Sequence, residues 1–270
     1  LQFSHLGCPP PLARRLLGRV GRNAMRNPTM QNASYVALSR QVVLGRQLDV
    51  TANNIANIDT VGFKRQGLRF GEFLAQTGNG EAVSYVQDVG SSRDVAQGSL
   101  RMTDRPLDLA IEGDGYFTVE TPGGERYGRD GQFQLSAASE FTTRSGHALL
   151  SADGDRIVVP PGTQQIIIRK TGEILADGAE IAKIELKKFN NPQSLVHTAD
   201  GLYKADAPGQ VDPDARLHQG MLESSNVNPV VELVSMLQIQ RDFEGVHKMG
   251  KTENERMTRA IRELGRVDSA

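Results

Sequence analysis

Two stretches with helical spacing, one towards each end of the chain and separated by a long β-type pattern, constrain this sequence more than any other feature. From Met30 to about Ile58, Ala37, Gln41, Leu44, Leu48, Ala52 and Ile55 recur in steps of three and four, which places them on one stripe of a helix. From Leu233 to Leu264 the same stepping runs through 233, 236, 240, 243, 247, 250, 254, 257, 261 and 264, and Leu233, Met236, Phe243, Met257, Ile261 and Leu264 make most of it apolar. Asn228 followed by Pro229 supplies a cap and a favoured first residue for this second helix. Both stripes are narrow, which suits a seam against another helix better than a broad face on a globular core. Gly45 costs the first helix about 1 kcal/mol relative to alanine, so it needs a partner to be stable. The two seams can pair with each other.

Between them the pattern changes twice. Asn57-Ile58-Asp59-Thr60-Val61-Gly62 carries the residues that end helices and open turns. Residues 63–99 alternate only weakly and read as an extended connector with short strands. Residues 100–219 hold short alternating or β-branched runs, such as Leu107–Ile111, Tyr116–Val119, Gln132–Leu135, His147–Leu150, Arg156–Val159, Gln165–Ile168 and Ile181–Leu186. Turn residues separate them, with no helical period between, so the expected architecture is α+β. A central antiparallel β-rich domain lies between N- and C-terminal helices that pair as a coiled-coil-like module. The expected segments are a helix over 30–62, a connector over 63–99, the β domain over 100–219 and a helical module over 220–270.

Residues 1–29 stand apart, because they hold five arginines and no acid. They read as a leader upstream of a natural start at Met30 and are set aside from the fold. That leaves 26 basic and 32 acidic residues in 30–270, a net charge of −6, which argues against the phosphate neutralisation that non-specific nucleic-acid binding requires. No apolar run is long enough to suggest a membrane-inserted chain. Hydrophobic residues make up only 38% and aromatics 5%, light for a compact enzyme and suited to many turns and partly exposed elements.

The candidate chemistry is thin. The single cysteine, Cys8, permits neither an intrachain disulfide nor a cysteine-based metal site. The five histidines are scattered without metal-ligand spacing, and no nucleophile elbow occurs. Gly245–Thr252 matches the spacing of a phosphate-binding loop, but it continues a helical period, in which the amides are already bonded four residues back. Gly113-Asp114-Gly115 links two strand-like runs and reads as a hairpin turn. No catalytic residue, cofactor or metal is expected.

Three segments carry a resemblance. ANNIANIDTVGFKR (Ala52–Arg65), RPLDLAIEGDGYFTVETPGGERYGRDGQFQL (Arg105–Leu135) and GMLESSNVNPVVELVSMLQIQRDFE (Gly220–Glu244) are similar to signatures of the flagellar rod and hook family. The start, Met30 to Val50, looks more like the proximal-rod members than the distal-rod members. The sequence departs from the family pattern in Ser139, where a turn glycine is usual, in Phe243 for a tyrosine, and in a polar Gly245–Arg256. The resemblance implies a structural subunit of the proximal rod, exported through the flagellar export apparatus without a cleaved signal peptide. Its expected location is the basal-body rod across the periplasm, and its expected partners are other rod subunits and copies of itself. It also implies an assembly role for Leu44, Leu48, Asn53, Asn54, Ile55, Asn57, Phe63, Leu233, Met236, Leu237, Gln240 and Phe243. Read without it, the asparagines simply end a helix. Phe63 and Lys64 either dock on a neighbouring subunit, the amine meeting an acid there, or Phe63 closes its own β domain.

Overall fold

A computed structural model of the chain describes residues 28–76 and 82–267. The expectation for a leader over 1–29 lies outside these residues except at Pro28 and Thr29, which already belong to the first helix, α1 (Pro28–Ala56). The second, α2 (Pro229–Val267), begins where Asn228 predicts. The Asn228 side-chain oxygen accepts from the backbone N–H groups of Val230 and Val231 at 3.1 and 3.3 Å, satisfying donors that the helix itself leaves free.

The helices lie side by side and run in opposite directions. Ala37 and Leu44 of α1 cluster with Ile239, Phe243 and Val246 of α2, while Asn54, near the end of α1, reaches Glu232 in the first turn of α2. The pair, called the arm below, is joined to the β body at the end where Asn54 meets Glu232.

The connector is more regular than its weak alternation predicts. Strands β1 (Gln66–Gln76) and β2 (Ala82–Arg93) form a long antiparallel ribbon with an irregularity at Arg69/Phe70, near Gly90. Gly67, Gly71 and Gly90 dilute the apolar alternation, yet the strands pair along their described length and the ribbon leans on α1.

The remaining strands build the β body. They are β3 (Leu100–Met102), β4 (Leu109–Glu112), β5 (Phe117–Thr121), β6 (Gly124–Gly128), β7 (Phe133–Leu135), β8 (Phe141–Thr143) and β9 (Ala148–Leu149). After them come β10 (Ile166–Ile168), β11 (Glu173–Ala176), β12 (Ala179–Lys183), β13 (Lys187–Lys188), β14 (Val196–His197), β15 (Tyr203–Lys204), β16 (Gln210–Val211), β17 (Arg216–Gln219) and β18 (Met221–Glu223). The largest sheet has the order β14-β15-β6-β5-β9-β8-β7, a smaller one the order β10-β11-β12, and every pairing given is antiparallel. Leu109, Ile111, Phe117, Phe141, Leu149 and Ile174 anchor one core, and Tyr116, Tyr127, Leu195 and Tyr203 form a second, aromatic cluster. Thus the α+β class is observed.

Two local expectations differ. Gly113-Asp114-Gly115 is not a hairpin turn, because β4 pairs with β17 while β5 pairs with β6 and β9; the glycines let the chain cross from one sheet to another. Residues 221–223, placed by the sequence reading in the C-terminal helical module, form β18 against β3, so the body's last strand runs almost directly into α2.

Candidate functional site

The seam of the arm is built from one set of residues that the spacing predicts and one set that it misses. On α1, Ala37 and Leu44 are buried, Gln41, Leu48 and Ile55 are half-buried, and Ala52 and Asn53 are exposed. Val43, Thr51 and Asn54 are buried as well. On α2 the inward residues are Glu232, Met236, Ile239, Phe243, Val246, Gly250 and Met257, at least half-buried in each case. Of the ten predicted positions, 236, 243, 250 and 257 are half-buried. Three more are exposed one residue away from the seam, with Glu232, Ile239 and Val246 inside in place of Leu233, Gln240 and His247, although the His247 ring still lies 3.3 Å from the Gln41 amide of α1. The cause is local: Glu232 is held inward by Arg65 and Asn54, and one residue is about 100° of helix, so Leu233 turns outward.

That rotation leaves an apolar row in water. Val230, Leu233, Val234 and Leu237 follow the i, i+3, i+4, i+7 spacing of one helical face and are 51 to 69% exposed. On α1, Leu38 and Val42 are exposed in the same way. A cleft of about 560 Å³ adjoins the row, lined by Val50, Asn54, Arg65, Leu68, Val234 and Ile239 among others. Of the residues with a predicted assembly role, Leu233 and Leu237 lie in this row and Gln240 is exposed. Leu44 lies in the seam core, with Phe243 packed against it.

Where the arm meets the β body, the three segments that carry the family resemblance converge on one buried polar joint. Asn54 pairs its side-chain amide with the backbone of Gln66, donating to the carbonyl at 2.8 Å and accepting from the N–H at 2.9 Å, which ties the end of α1 to the first residue of the ribbon. The same amide nitrogen donates to Glu232 at 3.2 Å. Asn57 lies just past the end of α1, where its side chain donates to the Asn53 carbonyl at 2.8 Å and accepts from Thr60 at 3.1 Å. Gly62 takes φ of +67°, and a Cβ there would sit 2.5 Å from the Arg129 carbonyl carbon, so glycine is required twice over.

Phe63 is half-buried, and Lys64 turns into the joint of its own chain. Lys64 Nζ donates to Glu223 at 2.6 Å and to the Ala96 carbonyl at 2.8 Å, so its acid partner is intramolecular. Burial holds the Lys64 amine below its ordinary pKa, against the opposing pull of Glu223. Arg129 reaches the other Glu223 oxygen at 3.1 Å, donates to the Gly113 carbonyl at 2.6 Å and lies 5.2 Å from the centre of the Tyr116 ring. Arg65 Nε donates to Glu232 at 2.5 Å, and Asn226 accepts from the Arg65 N–H at 2.7 Å. Lys64, Arg129, Glu223, Glu232 and Asn54 are each at least 96% buried. The sequence reading assigned no role to Arg129, Glu223 or Glu232. Their placement inside the quoted segments was the available signal, but each partner lies far along the chain.

This arrangement has no open, convergent polar geometry of the kind catalysis uses, because its charges are spent on one another. Among the described residues no group of three or more histidine, cysteine, aspartate or glutamate side chains could hold a metal ion. No helix among them is long and apolar enough to cross a membrane. Gly245–Thr252 lies within α2, and the Thr252 hydroxyl bonds back to the Lys248 carbonyl at 3.0 Å, leaving no phosphate cradle.

Comparison with known proteins agrees with this structural reading. Residues 35–64 match the family of flagella basal body rod proteins, 110–176 the flagellar hook protein FlgE/F/G D1 domain, and 218–263 the flagellar basal body rod FlgEFG protein C-terminal family. The flagellar basal-body rod protein FlgF of Caulobacter vibrioides is 37% identical, aligned over 88% of this chain and 100% of its own length. FlgF of Rhizobium meliloti is 34% identical over 87% of this chain and 99% of its own, and FlgG of Bacillus subtilis 31% over 84% and 96%. The chain belongs to the flagellar basal-body rod protein family. Within it, these matches favour the FlgF branch over FlgG, and the family is one of structural rather than catalytic proteins.

Proposed function

We propose that the chain is a structural subunit of the proximal rod of the bacterial flagellar basal body, part of the shaft that transmits torque and encloses the export channel. The observation that carries this reading is the apolar row Val230, Leu233, Val234 and Leu237 left in water on the arm of a rod-family protein. A row of that length on a charged helix costs free energy until another surface covers it. Arms of neighbouring subunits, carrying the same two-faced helices, are the fitting cover.

In the assembly, Leu44 and Phe243 hold each arm's own seam in coiled-coil-like pairing. Leu233, Leu237 and Gln240 face the next subunit, with Leu48, Ile55 and Met236 at the margin between the two. Asn53, exposed beside the joint, and the half-buried Phe63 extend this contact towards the ribbon. The β body forms the outer wall. The partners are other rod subunits and further copies of this chain, and the export apparatus handles the chain before assembly, with no signal peptide removed.

Deletion of the gene tests the reading. The expected result is loss of motility with basal bodies stopped at an incomplete rod, restored by the intact gene. Motile cells with complete rods would overturn it.

A further inference from the structure

The joint is built more restrictively than burial alone requires. Glu223 closes on three separate stretches of chain: Oε1 accepts from Lys64 Nζ at 2.6 Å and the Gly98 N–H at 2.9 Å, Oε2 accepts from Arg129 at 3.1 Å, and its backbone carbonyl accepts from the Gly62 N–H at 2.9 Å. These belong to the end of the α1 side, the stretch after the ribbon, and the β body. A second pin lies in the first turn of α2, where Glu232 takes Arg65 and Asn54. Asn226, between the pins, donates to the carbonyls of Asp94 and Ala96 at 3.0 Å each. There is no slack around them, since a Cβ on Gly98 would sit 1.9 Å from the Ser224 carbonyl oxygen.

Apolar side chains of similar volume would hold such an interior together as well as buried ion pairs do. What directional, charge-assisted hydrogen bonds add is a single allowed geometry, because any tilt of the arm leaves a buried charge without its partner. Two pins, one on β18 and one on α2, fix both the tilt of the arm and its rotation about its own axis. That rotation is already visible in the outward turn of Leu233.

We propose that Glu223 and Glu232 are positioning residues that set the angle and rotation of the helical arm relative to the β body. The direction in which the arm presents its apolar row is then encoded in the joint and not in the seam. This goes beyond the assembly reading and stands apart from it, because the angle belongs to a single chain and is measured without a polymer.

The experiment uses the full chain with Cys8→Ser and paired spin labels on exposed positions, Met249→Cys on the arm and Val158→Cys on the body, with Val158→Cys and Val211→Cys as the pair within the body. Pulsed electron resonance reads the two distance distributions. Glu223→Gln keeps the shape and removes the charge; the arm-to-body distribution is expected to broaden at least twofold while the distribution within the body stays unchanged. Arg65→Gln, at a guanidinium side chain 40% exposed, cuts only the outer pin and serves if Glu223→Gln does not fold; it is expected to broaden the same distribution, with Arg65→Lys restoring part of the width. A folded variant whose arm-to-body distribution matches the unsubstituted chain, even with a lowered melting temperature, would overturn the proposal, because the bonds would then only stabilise and not aim the arm.

Discussion

Ser139 and Asp130 show how single side chains carry a cost that a substitution can remove. Ser139 adopts φ of +60°, in the region that glycine enters freely and other residues enter under strain. Ser139→Gly is expected to stabilise the β body by about 0.5–1 kcal/mol, net of a small entropic loss, and to raise the melting temperature by roughly 1–4 °C in a thermal scan. Burial pushes the Asp130 carboxyl up from its ordinary 3.8, with Asp108 adding to the shift while the Gln132 N–H and Arg144 oppose it. A carboxyl raised in the folded state holds its proton longer than the unfolded chain does, so it contributes most below about 3.8 and loses that contribution as pH rises through the folded value. Asp130→Asn keeps the acceptor for Gln132 and does not titrate. Its melting temperature relative to the unsubstituted chain should be lowest below about pH 3.8 and should rise with pH until the folded carboxyl has ionised; a constant difference from below pH 3.8 to neutral pH would contradict the assignment.

The helical arm shows a division of labour between faces of one element. The α2 face that meets α1 carries Ile239, Phe243 and Val246, and the opposite face carries Val230, Leu233, Val234 and Leu237. Phe243→Ala should therefore destabilise the arm in the monomer by about 2 kcal/mol, a half-buried share of the usual cost of removing a core phenylalanine, and speed amide exchange along α2. Leu237→Gln should change monomer stability by no more than about 0.5 kcal/mol, since its side chain already faces water. Denaturant titration of both variants separates the faces. The existence of both helices, the Asn228 cap and part of the seam were legible in the sequence. The rest of the seam was not, because Ile239 and Val246 lie one residue from Gln240 and His247, and a period of three and four admits either row until Glu232 fixes the rotation. Strands were expected in the connector but not their length, because Gly67, Gly71 and Gly90 interrupt the apolar alternation that marks a long strand.

At the scale of the molecule, the ends of the chain are brought together at a joint whose partners are far apart in sequence. Lys64 meets Glu223 across 159 residues and Asn54 meets Glu232 across 178. No local pattern announces such pairs, so the joint emerged only from the fold, although its members sit in the segments that announce the family. The α+β class and the antiparallel body were legible because turn residues and short β-branched runs act locally. The outward apolar row is the surface proposed to carry the chain into the rod. The direct measurement is the amount of this chain in basal bodies purified from a deletion strain that carries either the intact gene or the double variant Leu233→Gln and Leu237→Gln. The double variant is expected to be made and folded yet absent from the purified basal bodies. Incorporation at the level of the intact chain would contradict it.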